Sequence, residues 1–331
     1  MEKKLLTVSI AAYNVDRYIE EALNSMIIPE IMDKLEVFIV DDGSMDSIEK
    51  KVERYTSEWG NTFHYIKKEN GGYGSTVNWS IAHATGKFIK LLDGDDYFNK
   101  DGLKSLIDVL EKAQADAVVS QAHRVYPDMH RKEIFTFMSS LNNGTVIPIT
   151  EAVKYASVAV WGYTFRTDIV KANWRDLPEH HFYTDRLFVL QALYAVKTIY
   201  YHTEAVYNYR VGLNEQSTSV ASIRKHYKEA LRVDKRSLEF YTEMKKNDYD
   251  SRRYIEQRLA LDYAYTFCMF LDLPIKSENL NQLKEYDITI RSYDPCIYEL
   301  APRLVKRVWL IRRSGYICYY LWPIIKMFRK N

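Results

Sequence analysis

Two apolar runs in this chain end abruptly in carboxylates. Phe88-Ile-Lys-Leu-Leu leads into Asp93-Gly94-Asp95-Asp96-Tyr97, and Leu35-Glu-Val-Phe-Ile-Val leads into Asp41-Asp42-Gly43-Ser44. Acids packed this tightly repel one another, and a divalent cation with hard oxygen ligands relieves the repulsion. A metal held by one or two acids commonly completes its shell with substrate phosphates, so the residue types point to a phosphate-bearing ligand. An EF-hand loop fits poorly, because it needs a glycine where Phe98 stands and an acid where Tyr97 stands. The bland alternative is a polar turn after a strand.

Both runs read as buried strands, and a third, Leu5 to Asn14, precedes them. Ile19, Ala22, Leu23 and Met26 then recur at helical spacing. Asp46 and Glu49 hold capping-box spacing at the start of another helix. Strand, helix, strand, helix predicts a parallel sheet whose ligand site lies beyond the carboxyl ends of its strands. Gly71-Gly72-Tyr73-Gly74-Ser75-Thr76 opens a helix but lacks the Gly-Lys-Ser/Thr of a phosphate loop, and Val77 replaces the glycine of a dinucleotide fingerprint. It is either a turn with Ser75 as helix N-cap or a close approach of backbone to a bound ligand. A helix from Asp101 to about Ala115 and a strand from Ala117 follow. Residues 220–290 carry Ile223, Tyr227, Ala230, Tyr254, Leu259, Tyr263 and Phe267 at helical spacing, and Pro274 ends the run.

Five motifs in order and spacing now carry a resemblance: Ala11-Ala12-Tyr13-Asn14, Asp41-Asp42-Gly43-Ser44-Met45-Asp46, Asn70-Gly71-Gly72 with Asn78, Ala84-Thr85-Gly86-Lys87, and Asp93-Gly94-Asp95-Asp96. The set resembles the donor half of family-2 glycosyltransferases with the glycosyltransferase-A (GT-A) fold, densely over the first hundred residues and loosely to about residue 215. The resemblance implies an α/β, Rossmann-like, mostly parallel sheet flanked by helices. It departs from the family at Ala11, where proline is frequent. It implies that Ala11, Tyr13, Asp42, Asn70, Gly72, Asp93, Asp95 and Arg210 line the nucleotide-sugar donor. Tyr13 would stack on the base or simply pack, Asp42 would accept the imide N–H of uracil, and Asp93 would accept from the ribose. Asp95 would ligate Mn²⁺ or Mg²⁺, Asp96 would support its neighbours, and Arg210 would meet phosphate or form a surface ion pair.

In the same family an acid at the start of a later helix is the base, usually preceded by glutamate. Asp185 has that position, and Thr184 stands where the glutamate is expected. Asp185 is therefore the candidate base, although a carboxylate there also suits a cap. His180 and His181 are rival bases or, with Trp161, line the acceptor pocket. One in-line displacement would invert the anomeric centre.

The bulk properties suit one catalytic domain with an extension: 331 residues, 47% hydrophobic, three cysteines without metal-site spacing. Met-Glu-Lys-Lys leads straight into a strand, so no signal peptide is expected, and a cytoplasmic location follows. The expected divisions are a donor half (1–100), an acceptor half (101–219), a helical extension (220–302) and a basic aromatic tail (303–331). The tail holds eight basic residues and no acid, while residues 1–302 hold 38 basic against 44 acidic residues, which disfavours nucleic acid as partner. Its apolar core is too short to span a bilayer. It reads as an interfacial anchor on an anionic membrane, with Trp322 among the inserting aromatics, or else as a packed helix. The expected acceptor is a saccharide or lipid-linked saccharide in surface polysaccharide biosynthesis. The rival reading is a non-catalytic GT-A-fold assembly partner at the membrane, and a nucleotidyltransferase would need a lysine-bearing glycine loop that Asn14-Val-Asp-Arg does not provide.

Overall fold

Leu6–Ala12 (β1) is buried almost throughout because a strand flanks it on each side and helices cover the sheet. Leu35–Asp41 (β2) and Phe63–Lys67 (β3) extend the sheet on one side, and Phe88–Asp93 (β4) pairs with β1 on the other, all parallel. Helices Ile19–Asn24 (α1), Ile48–Glu58 (α2) and Tyr73–His83 (α3) make the crossovers. The chain thus steps outward from β1 to β3 and returns to the far side of β1. That reversal opens a crevice between β1 and β4 at their carboxyl ends, where ligands of such sheets bind. The computed structural model describes residues 4–155, 157–213, 216–247 and 249–327. Asn214 and Glu215, and Arg329 and Lys330 of the tail, lie outside the described residues.

Beyond β4 the sheet is mixed. The segments are Tyr97–Phe98 (β5), Lys100–Lys112 (α4), Ala117–Tyr126 (β6), Arg131–Phe135 (β7), Val146–Pro148 (β8), Ile149–Ala152 (α5), Tyr163–Arg166 (β9), Thr167–Ala172 (α6), Thr184–Tyr194 (α7) and Thr198–Arg210 (β10). Strand β9 runs antiparallel between β4 and β6, β6 is parallel to β10, and β10 is antiparallel to β5. The parallel order expected from strand–helix alternation is therefore complete over β1 to β4 only. The β10–β5 pairing sets Tyr207 opposite Phe98, one turn past the acidic stretch.

Two local readings are corrected. The helix after β2 begins at Ile48, and Asp46 accepts from the N–H of Ile48 (3.2 Å) and of Asp16 (2.8 Å), so this acid ties two loops rather than closing a capping box. The Ala84-Thr85-Gly86 motif serves the opposite end of the sheet from the acids. Buried Glu36 accepts from the Thr85 N–H (2.9 Å) and hydroxyl (2.6 Å) and from Thr7 Oγ1, while Gly86 N–H donates to Thr7 Oγ1 (2.9 Å).

The described residues from 216 onward form a second compact unit, apart from 249–251, which belong with the first. Its helices are Val220–Met244 (α8), Arg252–Met269 (α9), Ser277–Tyr293 (α10), Pro295–Leu304 (α11), Lys306–Arg313 (α12), Ile317–Tyr320 (α13) and Trp322–Met327 (α14). Buried Asp287 accepts from Arg312 (2.6 Å), Tyr316 (2.5 Å) and Tyr263, and Arg312 also reaches the Tyr298 carbonyl (2.7 Å). Val308, Ile311, Tyr319 and Trp322 are buried in this unit. Trp322, at 4% exposure, is thus a core residue and not an inserting one. No described helix is long and apolar enough to cross a membrane.

A Cβ at Gly86 would lie 2.5 Å from Thr7 N and 2.9 Å from Leu6 C, both backbone atoms of the central sheet that cannot yield cheaply. Gly86→Ala should therefore cost about 1–3 kcal/mol, the usual scale of overpacking. Thermal or urea melting of this variant should show a lowered midpoint, and an unchanged midpoint would contradict the close approach.

Candidate active site

The ends of β1 and β2 are fastened to each other before they meet the crevice. Ala11 pairs with Asp93 across the β1–β4 register and its carbonyl accepts Gly94 N–H (3.1 Å). Asp41 is buried and accepts from Ser44 N–H (2.8 Å) and Tyr65 hydroxyl (2.5 Å), which fixes the Asp-Gly-Ser turn. Asn14, at φ 53°, donates its N–H to Ser44 Oγ and accepts from Met45 N–H, each at 3.0 Å. Between these ties Tyr13 stands half exposed at the rim.

Asp42 is spent on the protein itself. Its Oδ1 accepts from Gly71 N–H (2.9 Å), Lys68 Nζ (2.8 Å) and Ser75 Oγ (3.1 Å), and its Oδ2 from Gly72 N–H (2.7 Å) and Asn70 Nδ2 (3.0 Å). Five donors fill the roughly four lone-pair sites of a carboxylate. Asp42 and Asn70 therefore hold the 70–72 loop, and a uracil imide would have to replace one of these donors.

The glycines of that loop are explained by a different neighbour than a ligand. Gly72 takes the cap position of α3 at φ 81°, where a Cβ would lie 3.1 Å from His180 N, and a Cβ at Gly74 would lie 2.6 Å from the Pro178 carbonyl. His180 N–H donates to the Gly71 carbonyl (2.6 Å), and the Asn78 amide clasps both the N–H (2.8 Å) and the carbonyl (3.0 Å) of Leu177. Ser75 lies inside the first turn, bonded to Gly72 O (2.7 Å), and is not the N-cap. The loop and Asn78 thus seat residues 177–180, which lead into α7 and set Asp185 in its first turn.

Asp185 there meets acids from β4. Burial, then the charges of Asp95 and Asp185, pushes Asp93 up to about 7, against hydrogen bonds from Tyr73 and Tyr207 that favour its ionised form. Asp96 is fully buried and raised as well, first by burial and then by Asp93 and Asp95. It accepts from Tyr207 hydroxyl (2.9 Å) and Arg210 N–H (2.7 Å), and Tyr207 Oη also accepts Asp93 N–H (3.1 Å). The Arg210 guanidinium donates to the Asp95 carbonyl and to Glu21, with Tyr18 and Tyr97 rings at 5.0 and 4.7 Å. Its phosphate role would require release from Glu21.

Among the described residues no group of three or more His, Cys, Asp or Glu side chains is placed to hold a metal ion. The donor chemistry present, carboxylates raised first by burial and then by neighbouring acids, is of the kind a hard cation would bind.

The acceptor-side candidates divide. Trp161 is 9% exposed and stacks on Tyr209 (5.7 Å, 13°) beside Tyr207, so it stiffens the wall behind the acids. Its carbonyl and that of Tyr163 accept from Lys90 Nζ (2.8 and 3.0 Å), a buried lysine whose pKa burial lowers to about 7. His180 is exposed at φ 52°, and the His181 ring bonds the Glu179 carbonyl (2.6 Å). Thr184 is buried and its hydroxyl has no partner. Tyr73 and Tyr207 were not singled out from sequence. Only the density of tyrosines near Arg210 and the glycine loop signals them.

The switch-point crevice thus has carboxylates from β4 and α7 near one another. Residues 7–170 match the family model described as glycosyl transferase family 2, and the chain belongs to that family. It is 43% identical over 99 residues to the uncharacterized glycosyltransferase MG025 homolog of Mycoplasma pneumoniae, 29% of this chain and 33% of that protein. It is 26% identical over 209 residues to the poly(ribitol-phosphate) beta-N-acetylglucosaminyltransferase TarS of Staphylococcus aureus, 61% of this chain and 35% of that protein. The chain thus spans about a third of either relative's length. The crystal structure of S. aureus TarS 1–349 with UDP-GlcNAc superposes with a TM-score of 0.71 at 20% identity, covering 98% of this chain and 92% of that one. The fold is accordingly the GT-A fold. The mannosyltransferase PcManGT of Pyrobaculum calidifontis, solved with GDP-Man and Mn²⁺, superposes at 0.51 and 15% identity, covering 98% and 87%.

Tyr207 joins the Asp93 backbone to buried Asp96, so Tyr207→Phe leaves a carboxylate short of one donor. The variant should lose about 1–3 kcal/mol of stability and bind UDP less tightly in the presence of Mn²⁺. Melting and calorimetry read both effects, and wild-type values in both would remove Tyr207 from the site.

Proposed function

We propose that this chain is an inverting, metal-dependent glycosyltransferase that moves a sugar from a nucleoside-diphosphate sugar, with UDP as the nucleotide, to a saccharide or lipid-linked acceptor in surface polysaccharide biosynthesis. One observation carries the reading: Asp185, some ninety residues from Asp93 in sequence, comes close enough to raise its pKa together with Asp95. A binding partner without activity has no use for three carboxylates held in mutual repulsion. The UDP-GlcNAc bound by TarS and the Mn²⁺ bound by PcManGT support the donor and metal classes.

The roles follow from chemistry. Tyr13 at the rim offers a half-exposed ring for the base. Asp42 and Asn70 hold the 70–72 loop beside it, and Asp93 accepts from the ribose. A Mn²⁺ or Mg²⁺ ion would be held by Asp95 and would neutralise charge on the diphosphate. Asp185 accepts the proton of the acceptor hydroxyl as its oxygen attacks the anomeric carbon and the bond from that carbon to the nucleoside diphosphate breaks, the diphosphate leaving, and His180 and His181 border the acceptor. The reading locates the enzyme in the cytoplasm at the inner face of the plasma membrane, where a lipid-linked acceptor is reached.

Two substitutions separate the roles. Asp95→Asn should lower turnover by far more than about tenfold, equivalent to ~1.4 kcal/mol in the barrier, and remove the metal dependence of UDP binding. Asp185→Asn should leave UDP binding nearly unchanged while transfer falls by about 10² or more. Near wild-type transfer by Asp185→Asn would hand the base to His180, His181 or another group.

A further inference from the structure

Six of the sixteen large hydrophobic side chains exposed among the described residues fall between Trp309 and Met327: Trp309 (54%), Ile317 (66%), Tyr320, Leu321, Ile324 (55%) and Met327 (73%). Scattered single exposures are ordinary, but such a concentration on consecutive helices signals a contact surface. The helices α12 to α14 each turn one face into the second unit, through Val308, Ile311, Tyr319 and Trp322, and leave these others outside. The chain breaks direction at Gly315 (φ 57°) and Tyr316 (φ 68°), so the segment forms short pieces that lie along a surface.

Charge selects the occupant. Arg303, Lys306, Arg307 and Arg313 are exposed on the same stretch, and no acid occurs from residue 303 to the end of the chain. Arg312 is committed to Asp287, and Lys326 bonds Asp272 (2.6 Å). A mixed surface of arginine, lysine, tryptophan, tyrosine and aliphatic tips matches the interface of an anionic bilayer, where basic heads meet phosphates and apolar tips enter the acyl boundary.

We propose that the exposed face of α12 to α14 docks the protein flat on an anionic membrane, with Trp309, Ile317, Leu321 and Ile324 inserted and Trp322 kept in the core. This deepens the transferase reading by supplying the surface on which a lipid-linked acceptor would be met. It changes the expected anchor, because removing residues 303–331 would gut the second unit and could not test membrane contact.

The test uses the full chain and exposed positions only. Sedimentation with vesicles of phosphatidylglycerol and phosphatidylcholine at low salt should show binding, with phosphatidylcholine alone binding far more weakly. Leu321→Ser with Ile324→Ser should weaken binding about tenfold or more, and Lys306→Gln with Arg313→Gln by a similar factor. Both pairs should keep the thermal midpoint and UDP binding, so loss of membrane contact stays distinct from failure of the transferase reading. Absence of binding to anionic vesicles at low salt would overturn the proposal, as would indifference to both pairs. Light scattering that shows a dimer broken by the apolar pair, with vesicle binding unchanged, would reassign the face to a second copy of the chain.

Discussion

The structure turns on a buried carboxylate beside other acids. Asp93 at the end of β4 is pushed up to about 7, first by burial and then by the charges of Asp95 and of Asp185 at the start of α7. A fold that kept these groups for stability alone would separate them. Their shared field is useful only where a cation and a negatively charged ligand enter together, and the rest of the first unit reads as the frame that keeps the groups from relaxing apart.

That frame has two halves. On the β4 side, Tyr207 and the Arg210 N–H neutralise buried Asp96 with hydrogen bonds, and Arg210 clamps the Asp95 carbonyl. On the α7 side, Asp42 holds the 70–72 loop by accepting from three of its N–H groups, and that loop with Asn78 seats residues 177–180 directly ahead of Asp185. Asp42, which the family resemblance implies would meet the base of the nucleotide, thus also helps set the position of the candidate catalytic base. This coupling ties motifs spread over the first hundred residues to an acid near residue 185.

Much of this was legible in the sequence. Apolar runs closed by acids marked β2 and β4, helical spacing marked α1, α8 and α9, and motif order pointed to the GT-A fold. What pattern could not show was direction and commitment. The antiparallel β9 is a four-residue strand whose pairing depends on long-range register with β4 and β6. Gly72 and Gly74 announced a close approach, but the partner proved to be backbone from residues 178–180. The Ala84-Thr85-Gly86 motif helps carry the family resemblance, and its hydrogen bonds belong to the far end of the sheet. Tyr73 and Tyr207 were hidden among 27 tyrosines. In the tail, composition announced an aromatic, basic surface, while only packing separated Trp322, inside, from Trp309, outside.

The central claim is that the crowded carboxylates exist to hold a metal–diphosphate pair. Isothermal calorimetry of UDP against the full chain, with Mn²⁺ present and with Mn²⁺ removed by a chelator, tests it most directly. The account predicts saturable binding with the metal and a loss of most affinity without it. Equal affinity in both conditions, or no binding in either, would contradict it.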